Sequence, residues 1–573
     1  MGKLLKHLKK YRKECFFAPF FKLCEAVMEL CVPLIVASII DVGIKNSDNS
    51  YILKMMLLLI VFALAGLTFA VIAQYFSAKA AVGFAGKIRH ILFSHIQRLS
   101  HNEIDNIGTS TMITRLLSDT NQVQVGVNLT LRLVLRSPLI SIGAMVMAFT
   151  IDQKTALVFL ITIPVVFAVV MLITLKCIPM YKKVQSKLDK VLDMTRGNLT
   201  GTRVIRAFCM ENTEIENFGS VNDDLTVMQK KVGGISALSN PLTYVLLNFA
   251  IIVLINIGAI RVNAGIITQG AVVALYNYMA QMLAELVRIA GFIVNVTRAV
   301  ACGNRIQSVL DAESVLTEPE TTKTDKENDY AVYFDNVTFK YSGAGDISLS
   351  DLTLKVEKGD TVGIIGGTGA GKSTLVNLIP RFYDVTEGNV FVDGINVKDY
   401  KLTDLRDKIG IVPQKAVLFK GTVRSNMLIG NENATDDEIM NAINIAQAGD
   451  FININSLDNP VEEGGKNFSG GQRQRLTIAR ALVRKPQILI LDDSSSALDY
   501  VTDAALRRAI KELPENTTTF MVSQRTSSIQ HADKIVVLDD GVPVGIGTHD
   551  ELLKNCTVYK EIYDSQFKKG SVE

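Results

Sequence analysis

The sequence predicts a multi-domain chain in which an α-helical transmembrane domain of six spans is followed by a soluble α/β domain. Long apolar stretches crowd the first 300 residues, whereas short apolar strands alternate with helical runs around glycine-rich turns beyond residue 330. Between them lies a polar, charged stretch, DAESVLTEPETTKTDKENDY, which is typical of a linker. The predicted boundaries are 1–310 for the membrane domain, 311–330 for the linker and 331–573 for the α/β domain.

Composition limits the classes of partner. The net charge is only +3 and the isoelectric point about 8.3, so no large basic face indicates binding to nucleic acid. The seven cysteines are odd in number, scattered and without CxxC spacing, a pattern that favours reduced thiols over disulfides or a zinc site.

The N-terminal stretch MGKLLKHLKKYRKEC predicts an amphipathic helix on a lipid surface. One face carries Leu4, Leu5, Leu8 and Tyr11, and lysines occupy the rest, as expected for contact with an anionic inner leaflet. A cleaved signal peptide is the alternative. It is less favoured, because the following apolar stretch continues to about Ile40 without a small-residue cleavage pattern.

Six apolar stretches have roughly the 20 residues that a helix needs to cross a bilayer. They lie near 16–43, 52–76, 127–150, 155–178, 241–262 and 271–297. The long connections 77–126 and 179–240 are rich in lysine and arginine, which places them and both termini in the cytoplasm of a multi-pass cell-membrane protein. Helical periodicity in these connections predicts helices that continue beyond the membrane and turn back through short crosswise segments around Thr109–Leu117 and Arg206–Thr213.

Charged residues inside the predicted spans leave two interpretations open: contact with the substrate, or else mutual ion pairing or placement near the headgroups. The residues concerned are Glu25, Glu29, Arg132, Arg136, Glu285 and Arg288. Ion pairing is the favoured interpretation, because buried charges are costly unless a partner compensates them.

The α/β domain contains a phosphate-binding loop. Residues 366–373 match G-x-x-x-x-G-K-S between an apolar strand and a helical run, which is the context this motif requires. Its backbone N–H groups wrap phosphates, Lys372 reaches the terminal phosphates and Ser373 ligates Mg²⁺. The predicted nucleotide contacts from this loop are Gly366, Thr368, Gly369, Gly371, Lys372, Ser373 and Thr374.

A second strand, PQILILDD, ends in two aspartates. Asp492 is the predicted Mg²⁺ ligand, held directly or through water. A strand that ends in an acid is common, and the phosphate-binding loop upstream makes this one specific.

Between these motifs, Ser469, Gly470, Gly471 and Gln472 in NFSGGQRQRL resemble the signature of ABC ATPases. In that family the signature covers the γ-phosphate of an ATP bound to the opposite subunit, and the local alternative is a helix N-cap followed by flexible glycines. Further matches are Tyr341 to the aromatic that stacks on adenine, Gln414 to the glutamine that reaches the nucleotide, its Mg²⁺ and the membrane domain, Ser496–Asp499 to an inter-subunit loop, and Glu463 to an acid that meets the crosswise helices.

The whole chain therefore resembles a half-transporter of the B-type, multidrug-exporter-like ABC family. The resemblance implies an exporter-like membrane domain, an ABC ATPase domain with ATP and Mg²⁺ as ligands, and a dimer, since each ATP needs motifs from two chains.

Two positions depart from catalytically complete members of the family. Asp493 replaces the glutamate that polarises the attacking water, and Gln524 replaces a histidine near the γ-phosphate. With its signature intact, the chain resembles the impaired half of a heterodimeric exporter, whose partner is a second, non-identical half-transporter with intact glutamate and histidine. An ATP-gated channel and an importer on the exporter fold remain alternatives, and the transported substrate stays open.

Overall fold

The structure is a computed structural model that describes residues 1–314, 316–514 and 517–567. The chain divides into two compact units. The first contains Met1–Gln97 and Thr109–Asp311, and the second contains Arg98–Gly108 and Ala312–Glu573. A short segment from the N-terminal half is thus part of the C-terminal unit.

Helices dominate the first 311 residues. They are α1 Gly2–Leu5, α2 Arg12–Ser38, α3 Asn49–Ile96, α4 His101–Ile107, α5 Thr109–Thr114, α6 Thr120–Leu133, α7 Arg136–Ile151, α8 Gln153–Thr200, α9 Thr202–Ala207, α10 Glu211–Ala237, α11 Ser239–Asn263 and α12 Gln269–Leu310. A 3₁₀ helix covers Lys6–Tyr11, and π-helical turns cover Ile39–Ile44 and Arg115–Asp119.

Among the described residues, six helical segments are long and apolar enough to cross a membrane, and the prediction of six spans is confirmed. They are Gly2–Ile44, Asn49–Ile96, Thr109–Ile151, Gln153–Thr200, Glu211–Asn263 and Gln269–Leu310, and each contains one predicted stretch. The helices α3 and α8 have 48 residues each, about 72 Å at 1.5 Å per residue. Since the bilayer core is about 30 Å thick, both helices extend well beyond it.

The predicted positions of the short crosswise segments are wrong by several residues. The first short helix is α4, not Thr109–Leu117, which forms α5 and the π-helical turn leading into α6. Ser100 and Glu103 form a capping box at the start of α4, and Gly108, with φ of +80°, ends it. The second short helix is α9, Thr202–Ala207, whereas the predicted range Arg206–Thr213 extends into α10, which begins at Glu211.

The second unit is an α/β domain. Its strands are β1 Val332–Phe339, β2 Leu349–Val356, β3 Thr361–Gly366, β4 Glu387–Val392, β5 Ile395–Asn396, β6 Ile409–Val412, β7 Gly421–Thr422, β8 Pro460–Val461, β9 Ile488–Asp492, β10 Thr518–Val522, β11 Lys534–Asp539 and β12 Val542–Gly547. Its helices are α13 Lys372–Leu378, α14 Leu402–Asp407, α15 Val423–Met427, α16 Asp436–Ile445, α17 Gly470–Val483, α18 Tyr500–Lys511, α19 Thr526–Ile529, α20 His549–Asn555 and α21 Thr557–Phe567.

The largest sheet has the strand order β12-β11-β3-β10-β9-β6, in which every pair is parallel except β11 with β12. Its central strands are mostly apolar, and Ile364, Ile490 and Phe520 are fully buried, as expected for a parallel sheet covered on both faces. A separate antiparallel sheet has the order β2-β1-β4-β5. This architecture, six apolar spans followed by an α/β ATPase domain, is the predicted fold class.

Candidate nucleotide-binding site

Four neighbouring strands of the large sheet end at the same edge with polar residues. The phosphate-binding loop follows β3, Gln524 follows β10, Asp492 and Asp493 end β9, and Gln414 follows β6. Ligands of open α/β sheets bind at this carboxyl edge. A cavity of about 290 Å³ lies there, lined by Tyr341, Ser348, Thr368, Gly369, Ala370, Gly371, Lys372, Ser373, Thr374, Gln414, Asp492, Asp493, Val522 and Gln524.

The loop after β3 needs its glycines. Gly369 and Gly371 have φ of +85° and +90°, and a Cβ on Gly371 would lie 2.5 Å from the carbonyl oxygen of Ser348. Lys372 Nζ donates to the carbonyl oxygens of Gly366 and Gly367 at 2.9 and 2.6 Å, which holds its ammonium group over the loop. Burial lowers the pKa of Lys372, and the charges of the two nearby aspartates oppose that effect.

Two of the three predicted magnesium ligands are in direct contact. Ser373 Oγ donates to Asp492 Oδ1 at 3.0 Å, and both residues line the cavity together with Gln414. Burial raises the pKa of Asp492, and the hydrogen bond from Ser373 opposes this. Hydroxyl, carboxylate and amide oxygens are the hard donors that Mg²⁺ prefers, so these three residues fit the ion and would hold it against a bound triphosphate.

Asp493 lies in a constrained position. Its φ is +46°, its side chain is buried, and its backbone N–H donates to the carbonyl oxygen of Val522 at 3.0 Å. Gln524 Nε2 donates to Asp493 Oδ2 at 3.4 Å. Burial raises the pKa of Asp493, while a hydrogen bond from Gln414 and the charge of Lys372 lower it. Both departures from the family pattern thus meet in one contact.

The hypothesised adenine contact, Tyr341, belongs to an aromatic cluster. Its hydroxyl is 3.2 Å from Thr374 Oγ1, and its ring makes edge contacts with Phe339 at 4.8 Å and Tyr383 at 5.1 Å between centroids. Tyr383 Oη donates to Asp105 of α4 at 2.7 Å. Sequence reasoning missed Tyr383, because an aromatic in a turn carries no motif of its own.

The helix α4 also packs on the residue beside Tyr383. The imidazole of His101 stacks on Phe382 with 4.5 Å between centroids, and the guanidinium of Arg406 lies 5.3 Å from the same ring. Burial lowers the pKa of His101, and the charge of Arg406 lowers it further. A segment between two membrane helices therefore contacts the ATPase domain next to Tyr341. The S-x-x-E pattern of Ser100–Glu103 could have located it from sequence.

The signature residues are placed elsewhere. Ser469 caps α17: its hydroxyl accepts from the N–H of Gln472 at 3.3 Å, and Gln472 Oε1 accepts from the N–H of Ser469 at 2.9 Å. Ser469 and Gly470 are exposed, and none of the residues Ser469–Gln472 lines the cavity. This geometry also agrees with the local alternative, in which Ser469 is only the N-cap of α17. Asp499 of the predicted inter-subunit loop caps α18, and Glu463 is exposed.

The charged residues of the membrane helices pair with one another, which confirms the favoured interpretation for all of them except Arg132. Arg136 donates to Glu29 and to Glu285 at 2.7 Å each, and its Nε lies 3.9 Å from Glu25 Oε1. Glu285 also pairs with Arg288. Arg132 Nε is buried and has no hydrogen-bond partner among the described residues. Glu25, Glu29 and Arg136 also line a cavity of about 570 Å³.

Comparison with known proteins identifies relatives along the whole chain. Residues 15–286 match the family model for the ABC transporter transmembrane region, and residues 349–496 match the family model for the ABC transporter. The uncharacterized ABC transporter ATP-binding protein YfiB of Bacillus subtilis is 35% identical over 576 residues and covers 100% of both chains. The ATP-dependent lipid A-core flippase of Yersinia pestis is 31% identical, covering 92% of this chain and 91% of that protein.

A solved structure has the same fold. It is the structure of a bacterial Atm1-family ABC exporter with ATP bound, and it covers 97% of this chain and 100% of its own at 22% identity with a TM-score of 0.82. The matched ATPase domain implies nucleotide binding and ATP-hydrolysing transport. The chain therefore belongs to the ABC transporter family, as a multi-pass membrane protein that carries its transmembrane and ATPase domains on one polypeptide.

Proposed function

We propose that this chain is one half of a heterodimeric ABC exporter. It binds ATP and Mg²⁺ in its own cavity, hydrolyses that ATP slowly, and lends its signature to a competent site on a non-identical partner. The observation that carries this proposal is the contact of Asp493 with Gln524, at the two positions where a complete site has glutamate and histidine.

Each departure weakens hydrolysis for its own reason. The carboxylate of Asp493 is one methylene shorter than that of glutamate and is thus withdrawn by more than ~1 Å, a displacement that can cost on the order of 100-fold in rate. Gln524 donates one hydrogen bond but cannot become cationic or take up a proton. The Gln524 amide donates to Asp493 at 3.4 Å, so both substituted side chains lie together at the carboxyl edge of the large sheet.

The signature supports the second half of the proposal. Ser469 and Gly470 are exposed at the start of α17, and their capping geometry is complete. A surface helix terminus of this kind is available to a nucleotide on another chain. The partner in this proposal has intact glutamate and histidine and supplies the second, faster site.

Export, rather than import or a channel, is supported by the relatives. The Yersinia protein is named a flippase, and the solved structure of the same fold is an exporter. We place the protein in the cell membrane with its ATPase domain, residues 331–573, in the cytoplasm and joined through the linker 311–330 to the membrane domain, residues 1–310.

The test compares steady-state ATPase activities of purified assemblies. The chain alone should have little activity, and co-expression with its partner should raise activity many-fold. In the pair, Asp493→Asn should lower turnover by only a small factor, whereas loss of the partner's catalytic glutamate should lower it on the order of 100-fold. Ser469→Ala should also be severe, because Ser469 acts in the partner's site.

Each variant must assemble as the wild type does by size-exclusion chromatography. Robust turnover by the chain alone would contradict the heterodimer. Loss of turnover in Asp493→Asn as complete as that caused by loss of the partner's glutamate would show that this chain's own site is hydrolytic.

A further inference from the structure

Three lysines, one from the linker and two from separate segments of the ATPase domain, converge on one carboxylate, Asp393. The Nζ atoms of Lys358 and Lys326 lie 2.7 and 3.0 Å from Asp393 Oδ1, and Lys408 Nζ lies 3.0 Å from Oδ2. Burial opposes ionisation of Asp393, but the hydrogen bonds from Lys358, Lys408 and Lys326 hold its pKa well below its usual range. Three positive charges against one negative charge leave this lysine cluster with a formal charge of +2.

The lysine cluster borders a cavity of about 400 Å³. The cavity is lined by Ala331, Lys358, Val392, Asp393, Gln487, Ile488 and Thr518. Its wall combines the ammonium group of Lys358, the carboxylate of Asp393 and the exposed amide of Gln487 with the buried side chains of Val392 and Ile488. A small molecule with an anionic group fits a space of this size beside Lys358.

This cavity is distinct from the nucleotide-binding cavity. Ile488 and Thr518 are the first residues of β9 and β10, so the cavity lies at the amino edge of the large sheet. The phosphate-binding loop lies at the carboxyl edge, and a five-residue strand between the two edges spans about 17 Å. The lysine cluster is therefore too far from the carboxyl edge to contact an ATP bound at the phosphate-binding loop.

Hydrogen-bonding capacity indicates the class of ligand. Each ammonium group has three donors, whereas the carboxylate of Asp393 offers roughly four acceptor positions, so donors exceed acceptors. A phosphate group carries up to two negative charges and more acceptor positions than a carboxylate. We propose that the lysine cluster and its cavity form a second anion site on this chain, which binds a small phosphate-bearing molecule.

The test measures pyrophosphate binding to the assembled transporter by isothermal titration calorimetry at low salt without Mg²⁺. The background combines Lys372→Ala with removal of the corresponding lysine from the partner's phosphate-binding loop, because together these changes weaken pyrophosphate binding at both loops of the pair. Binding should persist there, and adding Lys358→Gln with Lys408→Gln should weaken it at least about tenfold. Lys554→Gln is the matched control for the loss of one exposed positive charge, and it should leave binding unchanged. Loss of all binding in this background, or an equal loss in Lys554→Gln, would overturn the proposal.

A second variant separates an anion site from an ion-pair network that only stabilises the domain. Asp393→Asn removes the carboxylate that competes for the lysines, and asparagine tolerates the φ of +50° at this position. At an anion site, Asp393→Asn made in the background without the loop lysines should bind pyrophosphate about three- to tenfold more tightly than that background alone. A lower melting temperature of Asp393→Asn with no gain in pyrophosphate affinity would overturn the proposal, even if the lysine variants fail to fold.

Discussion

On one side of the nucleotide cavity, the loop after β3 presents a lysine, a hydroxyl and backbone amides in the arrangement of a complete phosphate site. On the other side, Asp493 and Gln524 follow β9 and β10, at the positions where the family pattern has glutamate and histidine. Because separate strands carry these two sides, the proposed function predicts that substitutions at Asp493 and Gln524 affect hydrolysis more than nucleotide binding.

The electrostatics of the two sides also differ. Burial lowers the pKa of Lys372 and so disfavours its ionised form, and the charges of two aspartates oppose this effect. Burial raises the pKa of Asp493 and so disfavours its ionised form, and a hydrogen bond from Gln414 and the charge of Lys372 oppose this effect. Both sides thus carry a desolvation penalty, which neighbouring charges offset for Lys372 and a hydrogen bond offsets first for Asp493.

The largest effect is expected from removing the positive charge of Lys372, on the binding side of the cavity. Lys372→Ala eliminates an ammonium group positioned over the loop, and it should weaken ATP binding on the order of 100-fold, the cost of roughly two charge-assisted hydrogen bonds. Gln524→Ala, on the hydrolytic side, should change affinity less than about threefold. Fluorescence anisotropy with a labelled ATP measures both, and equal losses in the two variants would show that the sides are not separable.

A smaller effect is expected from restoring glutamate and histidine at positions 493 and 524. In a pair whose partner lacks its catalytic glutamate, Asp493→Glu combined with Gln524→His should raise residual ATPase activity about 10- to 100-fold, because a general base regains its reach. Each single variant serves as a control and should give a smaller gain. If the double variant remains at the background rate, then something other than these two side chains limits the site.

The smallest expected effect is on stability. Because burial raises the pKa of Asp493 in the folded state above that of the unfolded chain, its ionised form costs stability at pH above the folded pKa. Asp493→Asn should therefore raise the melting temperature at pH 7.5 by about 2 °C, and the gain should shrink as the pH falls through the folded pKa.

Asp499→Asn is the matched control for this measurement. Backbone and side-chain hydrogen bonds at the start of α18 lower the pKa of Asp499, so its ionised form stabilises the fold and its replacement should have the opposite sign. Differential scanning calorimetry of both variants across pH provides the data. A lower melting temperature of Asp493→Asn at pH 7.5 would contradict a dominant effect of burial.

Local sequence patterns were sufficient for the six spans and for the phosphate-binding loop. Apolar stretches of bilayer length and the G-x-x-x-x-G-K-S spacing are properties of consecutive residues, and they constrain the backbone directly. The short helix α4 was misplaced, although its capping box is also local, because hydropathy and charge carry little signal over seven residues.

The amino-acid sequence was therefore sufficient to predict the architecture and the phosphate-binding loop, and to locate Asp493 and Gln524 as departures from the family pattern, since each depends on residue type at a local spacing. Which distant groups meet depends on the tertiary structure. Arg136 pairs with Glu285 at a separation of 149 residues, and Lys326 and Asp393 meet across 67 residues. The physical reason is that a contact between distant charges depends on how helices and strands pack, and no local spacing specifies that packing.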